Sequence, residues 1–224
     1  MKQNDRIITC LFVLAEIVLL FFSQFYNGLW INYLRYGAVA LCFLYVSFYF
    51  AKNKQRNHSD WFFLLGLFFT CLADIFLILQ NKHLEMGITA FFITQICYFL
   101  YLTKGIKKVW KYYIIVNCLC AIVLFGAAYF ITMQHSMMLF LICLYGVTFS
   151  GNVLLAVKGF GKHALFSSGL IMFFCCDICV GLSNSALLGI PVSVEAVFFW
   201  LIWIFYIPSQ VCISIFAAQN RKRA

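Results

Sequence analysis

The chain has 224 residues, of which 65% are hydrophobic, 20% aromatic and only 10% charged, with a formal net charge of +9. No water-soluble domain of this length carries so much apolar surface, so the composition excludes a soluble enzyme or binding module and indicates an integral membrane protein. The positive balance resembles that of a nucleic-acid binder only until its charges are placed along the chain.

Eight apolar segments succeed one another, at about 7–25, 34–50, 61–79, 88–102, 112–131, 138–157, 164–182 and 194–217. Crossing ~30 Å of hydrocarbon takes about 20 helical residues, and lipid offers the backbone no hydrogen bonds, so each segment is predicted to be a helix. The first opens on Lys2 and Arg6 as a signal peptide does, but it contains Glu16 and no small-x-small cleavage pattern follows it, so a retained helix is expected. The fourth is the shortest and is expected to be tilted or partly buried. The eighth carries Pro208, expected to kink it between Tyr206 and Gln210. The connections are too short for a soluble domain. The expected fold class is therefore all-α: one polytopic domain over 1–224 with eight transmembrane helices.

In such a bundle one face collects Lys2 and Arg6, then Lys52, Lys54 and Arg56, then Lys104, Lys107, Lys108 and Lys111, then Lys158 and Lys162, and finally Arg221, Lys222 and Arg223. These are 14 of the 16 basic residues, leaving Arg35 and Lys82 for the other face. The positive-inside rule then places both termini in the cytoplasm of a cell-membrane protein, and the even helix count agrees. Orientation and attraction to anionic lipid account for the charge, so the expected partner is the bilayer and not a nucleic acid.

All eleven cysteines fall within the segments, where they behave as small apolar groups. Cys176 and Cys179 flank Asp177 at helical spacing, but no intramembrane histidine completes a zinc set, and neither metal nor cofactor is expected. The histidines His58, His83, His135 and His163 belong to loops or helix ends, with His135 placed at the outer mouth of the bundle.

Two aspartates are the residues of greatest interest. Asp74 and Asp177 lie in the third and seventh segments, each eight residues after a glycine, Gly66 and Gly169. A carboxyl group in hydrocarbon is costly unless paired, protonated or wet, and such residues usually mark function. Each lies 13 residues beyond its predicted helix start, Trp61 or Ala164, hence ~20 Å from the basic face, and the two helices run in the same direction. Equal depth is expected to let them share one site, and the matched contexts point to a 4+4 parallel repeat. Gln95 with Tyr98, and Tyr206 with Gln210, share faces of the fourth and eighth helices by their spacing. With Tyr145, Glu16 and Asn152 they are candidate lining residues, although for Asn117, Asn152 and Gln210 the commoner role is to bond helices together. Two buried carboxyls near each other do not both ionise; one stays protonated and the other charged. That pair suits hydrolysis by proton donation and water activation, and equally suits proton movement in a transporter or lipid-handling protein.

Gly66…Asp74-x-Phe76-Leu77, Gly87-x3-Phe91…Tyr98, Tyr145, Gly169…Asp177 and Tyr206-x3-Gln210 together resemble the lysoplasmalogenase (YhhN-like) family of multi-pass membrane proteins. The resemblance covers most of the chain from the third helix onward. It implies a hydrolase that cleaves the vinyl-ether bond of a lysoplasmalogen to a fatty aldehyde and a glycerophospho-alcohol, with Asp74 and Asp177 catalytic and a lysophospholipid or ether lipid as substrate. Two positions depart from the family pattern. Gln95 stands where relatives commonly carry the histidine of a His-x-x-Tyr pattern, and Asn152 stands where methionine is usual. Glutamine keeps the hydrogen bonds of that histidine but cannot exchange a proton at neutral pH.

Overall fold

A computed structural model describes residues 3–25, 30–52, 58–103, 107–132, 136–183 and 192–219. Lys2, Lys54, Arg56, Lys104, His135, Pro191, Arg221, Lys222 and Arg223 lie outside the described residues. The elements are α1 (Gln3–Phe25), α2 (Ile31–Lys52), α3 (His58–Asp74), α4 (Leu84–Thr103), α5 (Lys107–Thr132), α6 (Met137–Lys158), α7 (Phe160–Ser183) and α8 (Val192–Gln219). A π-helical turn, Ile75–Gln80, continues α3. Among the described residues, eight helical spans are long and apolar enough to cross a membrane. The protein is all-helical and multi-pass.

Two boundaries differ from the sequence expectation for one physical reason. The fourth helix is not short: it runs for 20 residues, and α5 begins five residues before its apolar run. Hydropathy marks where side chains meet hydrocarbon, whereas backbone hydrogen bonding carries a helix on into the headgroup layer. Pro208 lies inside the continuous α8. Non-helical dihedrals occur at His163 in α7, with φ −133° and ψ 35°.

The chain divides into two compact units, Met1–Lys54 with Gly159–Ala224, and Gln55–Lys158. Within the first, α7 packs along α8, α8 meets α2 and α1, and α1 meets α2. At the N-terminal end of α1, Lys52 Nζ reaches Asp5 Oδ1 at 2.8 Å, the Tyr49 hydroxyl donates to the Asp5 carbonyl at 3.2 Å, and the Thr9 and Tyr45 hydroxyls share a 2.8 Å bond. Phe12 stacks on Tyr45 with centroids 4.0 Å apart. Within the second unit, α3 packs along α4, α4 against α6, and α6 against α5. The succession α3, α4, α6, α5 thus has the same order of neighbours as α7, α8, α2, α1.

The two glycines that precede the aspartates are close-approach positions. A Cβ at Gly66 would stand 2.6 Å from Tyr98 Cε1, so the absence of a side chain is what seats the Tyr98 ring against α3. A Cβ at Gly169 would meet Ile213 Cγ1 at 2.8 Å and the Ser209 carbonyl at 3.0 Å. The second case is stricter, because one of the obstructing atoms, the Ser209 carbonyl oxygen, belongs to the α8 backbone. Small residues that let helices approach are a standard device where lipid supplies no hydrophobic drive. Gly169→Ala is expected to cost about 1–3 kcal/mol through overpacking, read as a lower melting temperature in detergent. Gly126→Ala, where nothing lies within 4 Å, should be neutral or gain up to about 1 kcal/mol of helix propensity. Equal losses for the two variants would refute the packing role.

Candidate functional site

In the second unit, α3 and α4 meet in an antiparallel register that can be followed turn by turn. Gly66 lies against Tyr98, the Thr70 and Thr94 hydroxyls are 3.4 Å apart, and Gly87 lies against Leu77. The same register sets Asp74 across from Ala90, a small residue between Thr94 and Gly87. Gly66, Thr70 and Asp74 recur at i, i+4, i+8, so they share the face turned to α4. Thr70 Oγ1 donates to the Gly66 carbonyl at 3.0 Å, and Thr94 Oγ1 lies 3.2 Å from both the Gly66 and Ala90 carbonyls. These hydroxyls fasten the two helices one turn before the carboxylate.

Asp74 itself is 1% exposed and occupies the junction between α3 and the π-helical turn. A π turn widens the helix and leaves one carbonyl without its usual i+4 partner, which is why such turns concentrate at functional sites. The turn ends on Asn81 in the left-handed conformation (φ 47°), whose N–H bonds back to the Phe76 carbonyl. His83 follows with φ 55°. Nothing in the apolar run Ile75–Leu79 signals this change of helix type.

Gln95 and Asn152 are both fully buried and are brought together. Asn152 Nδ2 donates to the Gln95 carbonyl at 2.8 Å and to Gln95 Oε1 at 3.1 Å. Asn152 Oδ1 lies 3.0 Å from the Tyr113 hydroxyl, which also lies 2.9 Å from the Thr148 carbonyl. The chain of contacts joins α4, α6 and α5, and its final member, Tyr113, carries no motif in the sequence. Gln95 Nε2 remains buried with no hydrogen-bond partner among the described residues, a donor held ready on the inner face of α4. Tyr98, one turn further, is fully buried against Gly66. Tyr145 is half-buried, its ring centroid 6.2 Å from that of Phe91 and 5.7 Å from that of Phe149. Among the described residues Asn117 bonds only within its own helix: its amide donates to the Tyr113 carbonyl one turn earlier in α5.

The first unit holds Glu16, Asp177, Tyr206 and Gln210. Asp177 is half-buried on α7, unlike the enclosed Asp74. The α7–α8 register runs from Gly169 against Cys212, through Phe173 against Tyr206 with centroids 5.5 Å apart, and the next turn brings Asp177 level with Trp203. Gln210 is fully buried; its Nε2 reaches only Ser209 Oγ, at 3.4 Å, and its Oε1 has no hydrogen-bond partner among the described residues. It therefore does not act as interhelical glue there. Glu16 is 2% exposed, with Oε1 accepting from Cys42 Sγ at 3.4 Å and Oε2 buried without a hydrogen-bond partner among the described residues. No group of three or more His, Cys, Asp or Glu able to hold a metal occurs among the described residues.

Chemically, each unit offers a carboxyl inside a membrane helix and amide groups whose hydrogen-bonding capacity is not exhausted among the described residues. Buried polar atoms of that kind cost about 1–3 kcal/mol each when left unmade.

The YhhN family matches the chain over residues 31–216, a range that contains both aspartates. No curated protein and no solved structure matches it.

Asn152→Leu is expected to lower unfolding stability in detergent by about 1–2 kcal/mol, since it removes bonds to two helices. Asn117→Leu, whose bond lies within one helix, should cost less than half as much. The reverse order would show that the α4–α6–α5 link is not structural.

Proposed function

We propose that this chain, which belongs to the YhhN family, is a membrane-embedded lipid hydrolase of lysoplasmalogenase type, with Asp74 and Asp177 as its acid–base residues. The observation that carries the reading is family membership over residues 31–216, in a family that includes lysoplasmalogenases. The burial of Asp74 at a π-helical junction supports it, because an acid held inside a membrane helix is costly and usually serves function.

The reaction is the addition of water across a vinyl ether. A protonated carboxyl transfers its proton to the β-carbon of the double bond, and the electron pair of that bond forms the new C–H bond. The resulting oxocarbenium ion is stabilised by the negative charge of a carboxylate. Water, losing a proton to a basic carboxylate, attacks the α-carbon to give a hemiacetal. The hemiacetal collapses to the fatty aldehyde, and its C–O bond to glycerol breaks as the glycerol oxygen takes up a proton. No metal or redox cofactor enters. Asp74, the more enclosed of the two, suits the acid; Asp177, half-buried, suits the group that receives the proton of water. Gln95, Tyr98, Tyr145 and Asn152 in one unit, and Glu16, Tyr206 and Gln210 in the other, are the proposed substrate-binding residues. Gln95 Nε2, a buried donor, fits an ether or hydroxyl oxygen.

Two further assignments belong to this proposal. Both termini face the cytoplasm of the cell membrane, by the basic connections. The chain is a 4+4 parallel duplication relating α1–α4 to α5–α8, which the matched order of neighbours and the shared Gly-to-Asp spacing support. A proton-coupled transporter or lipid-handling protein is the second reading. One observation favours it: the membrane helix carrying Asp74 departs from α geometry immediately after that residue, as transporter helices do at their ion sites.

Purified protein is expected to release fatty aldehyde from lysoplasmalogen, with Asp74→Asn and Asp177→Asn each lowering the rate by at least about 10²-fold. Gln95→His is expected to raise the rate and add a pH dependence near neutrality, since histidine titrates there. A folded parent that releases no aldehyde but acidifies proteoliposomes on addition of a lipid gradient would replace the hydrolase with the transporter.

A further inference from the structure

Arg35 is one of the two cations that membrane orientation does not explain. It sits in the second turn of α2, away from the basic connections, and is only 4% exposed. Its guanidinium lies over the Trp203 ring at 4.3 Å and near the Phe199 ring at 4.9 Å, both on α8. One N–H is used: Nη2 donates to the Ser23 carbonyl of α1 at 3.3 Å. Arg35 makes no ion pair among the described residues.

A guanidinium over an aromatic face keeps its charge and presents its remaining donors edgewise, in its own plane. Arg35 Nε is buried without a hydrogen-bond partner among the described residues, and so is Trp203 Nε1 on the ring beneath it. Two buried donors from two helices, beside a positive charge without a counter-ion among the described residues, are a costly arrangement inside a membrane protein unless an acceptor with negative charge completes it. Arginine with an indole N–H suits the oxygens of a phosphodiester, which accept several charge-assisted bonds at once. The location suits the same ligand. Within this unit the α7–α8 register sets Asp177 level with Trp203, and in a lysoplasmalogen only the glycerol separates the phosphate from the vinyl ether.

We propose that Arg35 and Trp203 form a phosphodiester-binding subsite for the headgroup of a single-chain glycerophospholipid. This rests on the reading of the chain as an enzyme of phosphate-bearing lipids, and it assigns Arg35 and Trp203 to headgroup binding and not to the acid–base step. The specificity follows: the phosphate is required, whereas the choline or ethanolamine beyond it is not sensed by these two donors.

The test uses binding, so its failure is distinguishable from failure of hydrolysis. The full chain, in uncharged detergent, is titrated with lysophosphatidylethanolamine and with a monoacylglycerol of the same acyl chain, and occupancy is read by native mass spectrometry. The parent is expected to prefer the phospholipid by at least roughly tenfold, the scale of charge-assisted bonds. Arg35→Gln should bring the two lipids to near parity, with Arg35→Lys intermediate because it keeps charge but loses the fork. Trp203→Phe, which keeps the ring under the guanidinium but deletes the indole N–H, should lose several-fold of the preference. A folded Arg35→Gln protein that keeps the parent's preference overturns the subsite. If Arg35→Gln does not fold, an unchanged preference in Trp203→Phe overturns it. Inorganic phosphate bound as tightly as the lysophospholipid, and lost in Arg35→Gln, overturns the lipid assignment in favour of a soluble anion. Preference for the phospholipid, in a protein that releases no aldehyde from lysoplasmalogen, sustains the subsite while removing the hydrolase.

Discussion

Hydrocarbon supplies no hydrogen bonds, and every feature of this protein follows from how it answers that constraint. Backbone groups are satisfied inside helices, which is why the described elements are helical throughout. Side-chain hydroxyls at Thr70, Thr94, Thr148, Ser150 and Ser209 turn back onto carbonyls within three or four residues. Against that background of polar groups neutralised locally, the few that are not become conspicuous. Gln95, Gln210, Glu16, Arg35 and Trp203 each keep a buried polar atom without a hydrogen-bond partner among the described residues.

Close helix contact does the rest of the structural work. Lipid tails are as apolar as leucine, so burial of leucine and phenylalanine does not by itself choose which helices adjoin. Gly66 and Gly169 make that choice by admitting Tyr98 to α3 and the α8 backbone to α7. The glycine two turns before each aspartate thus serves packing and not chemistry. Its consequence for the site is positional: it sets the register that places Asp74 opposite Ala90 and Asp177 level with Trp203.

The two carboxyls are not equivalent in their surroundings. Asp74 is enclosed and sits where α geometry gives way to a π turn, while Asp177 is half-buried on a continuous stretch of α7. The proposed division of labour, with Asp74 as acid and Asp177 as base, rests on that difference in enclosure. Gln95 adds a donor that does not titrate. In the proposed reaction the chemistry falls to the carboxyl groups, and the amides orient substrate.

The helix number among the described residues and the membrane class were legible in the sequence, because both depend on one local quantity, hydropathy over a single span. Helix limits were legible only to a few residues, because hydropathy reports the hydrocarbon boundary and not the last hydrogen bond, as α4 and α5 show. Asn152 read as a helix-bonding residue, and that is how it acts, but its partners Gln95 and Tyr113 lie 57 and 39 residues away and no local signal names them. The π turn at Ile75–Gln80, the pairing of Arg35 with Trp203 and the regrouping of α1 and α2 with α7 and α8 were decided by tertiary structure alone. Each depends on which surfaces meet across long stretches of chain, and in a sequence so uniformly apolar many pairings bury the same area; the contacts of a few small and polar residues select among them.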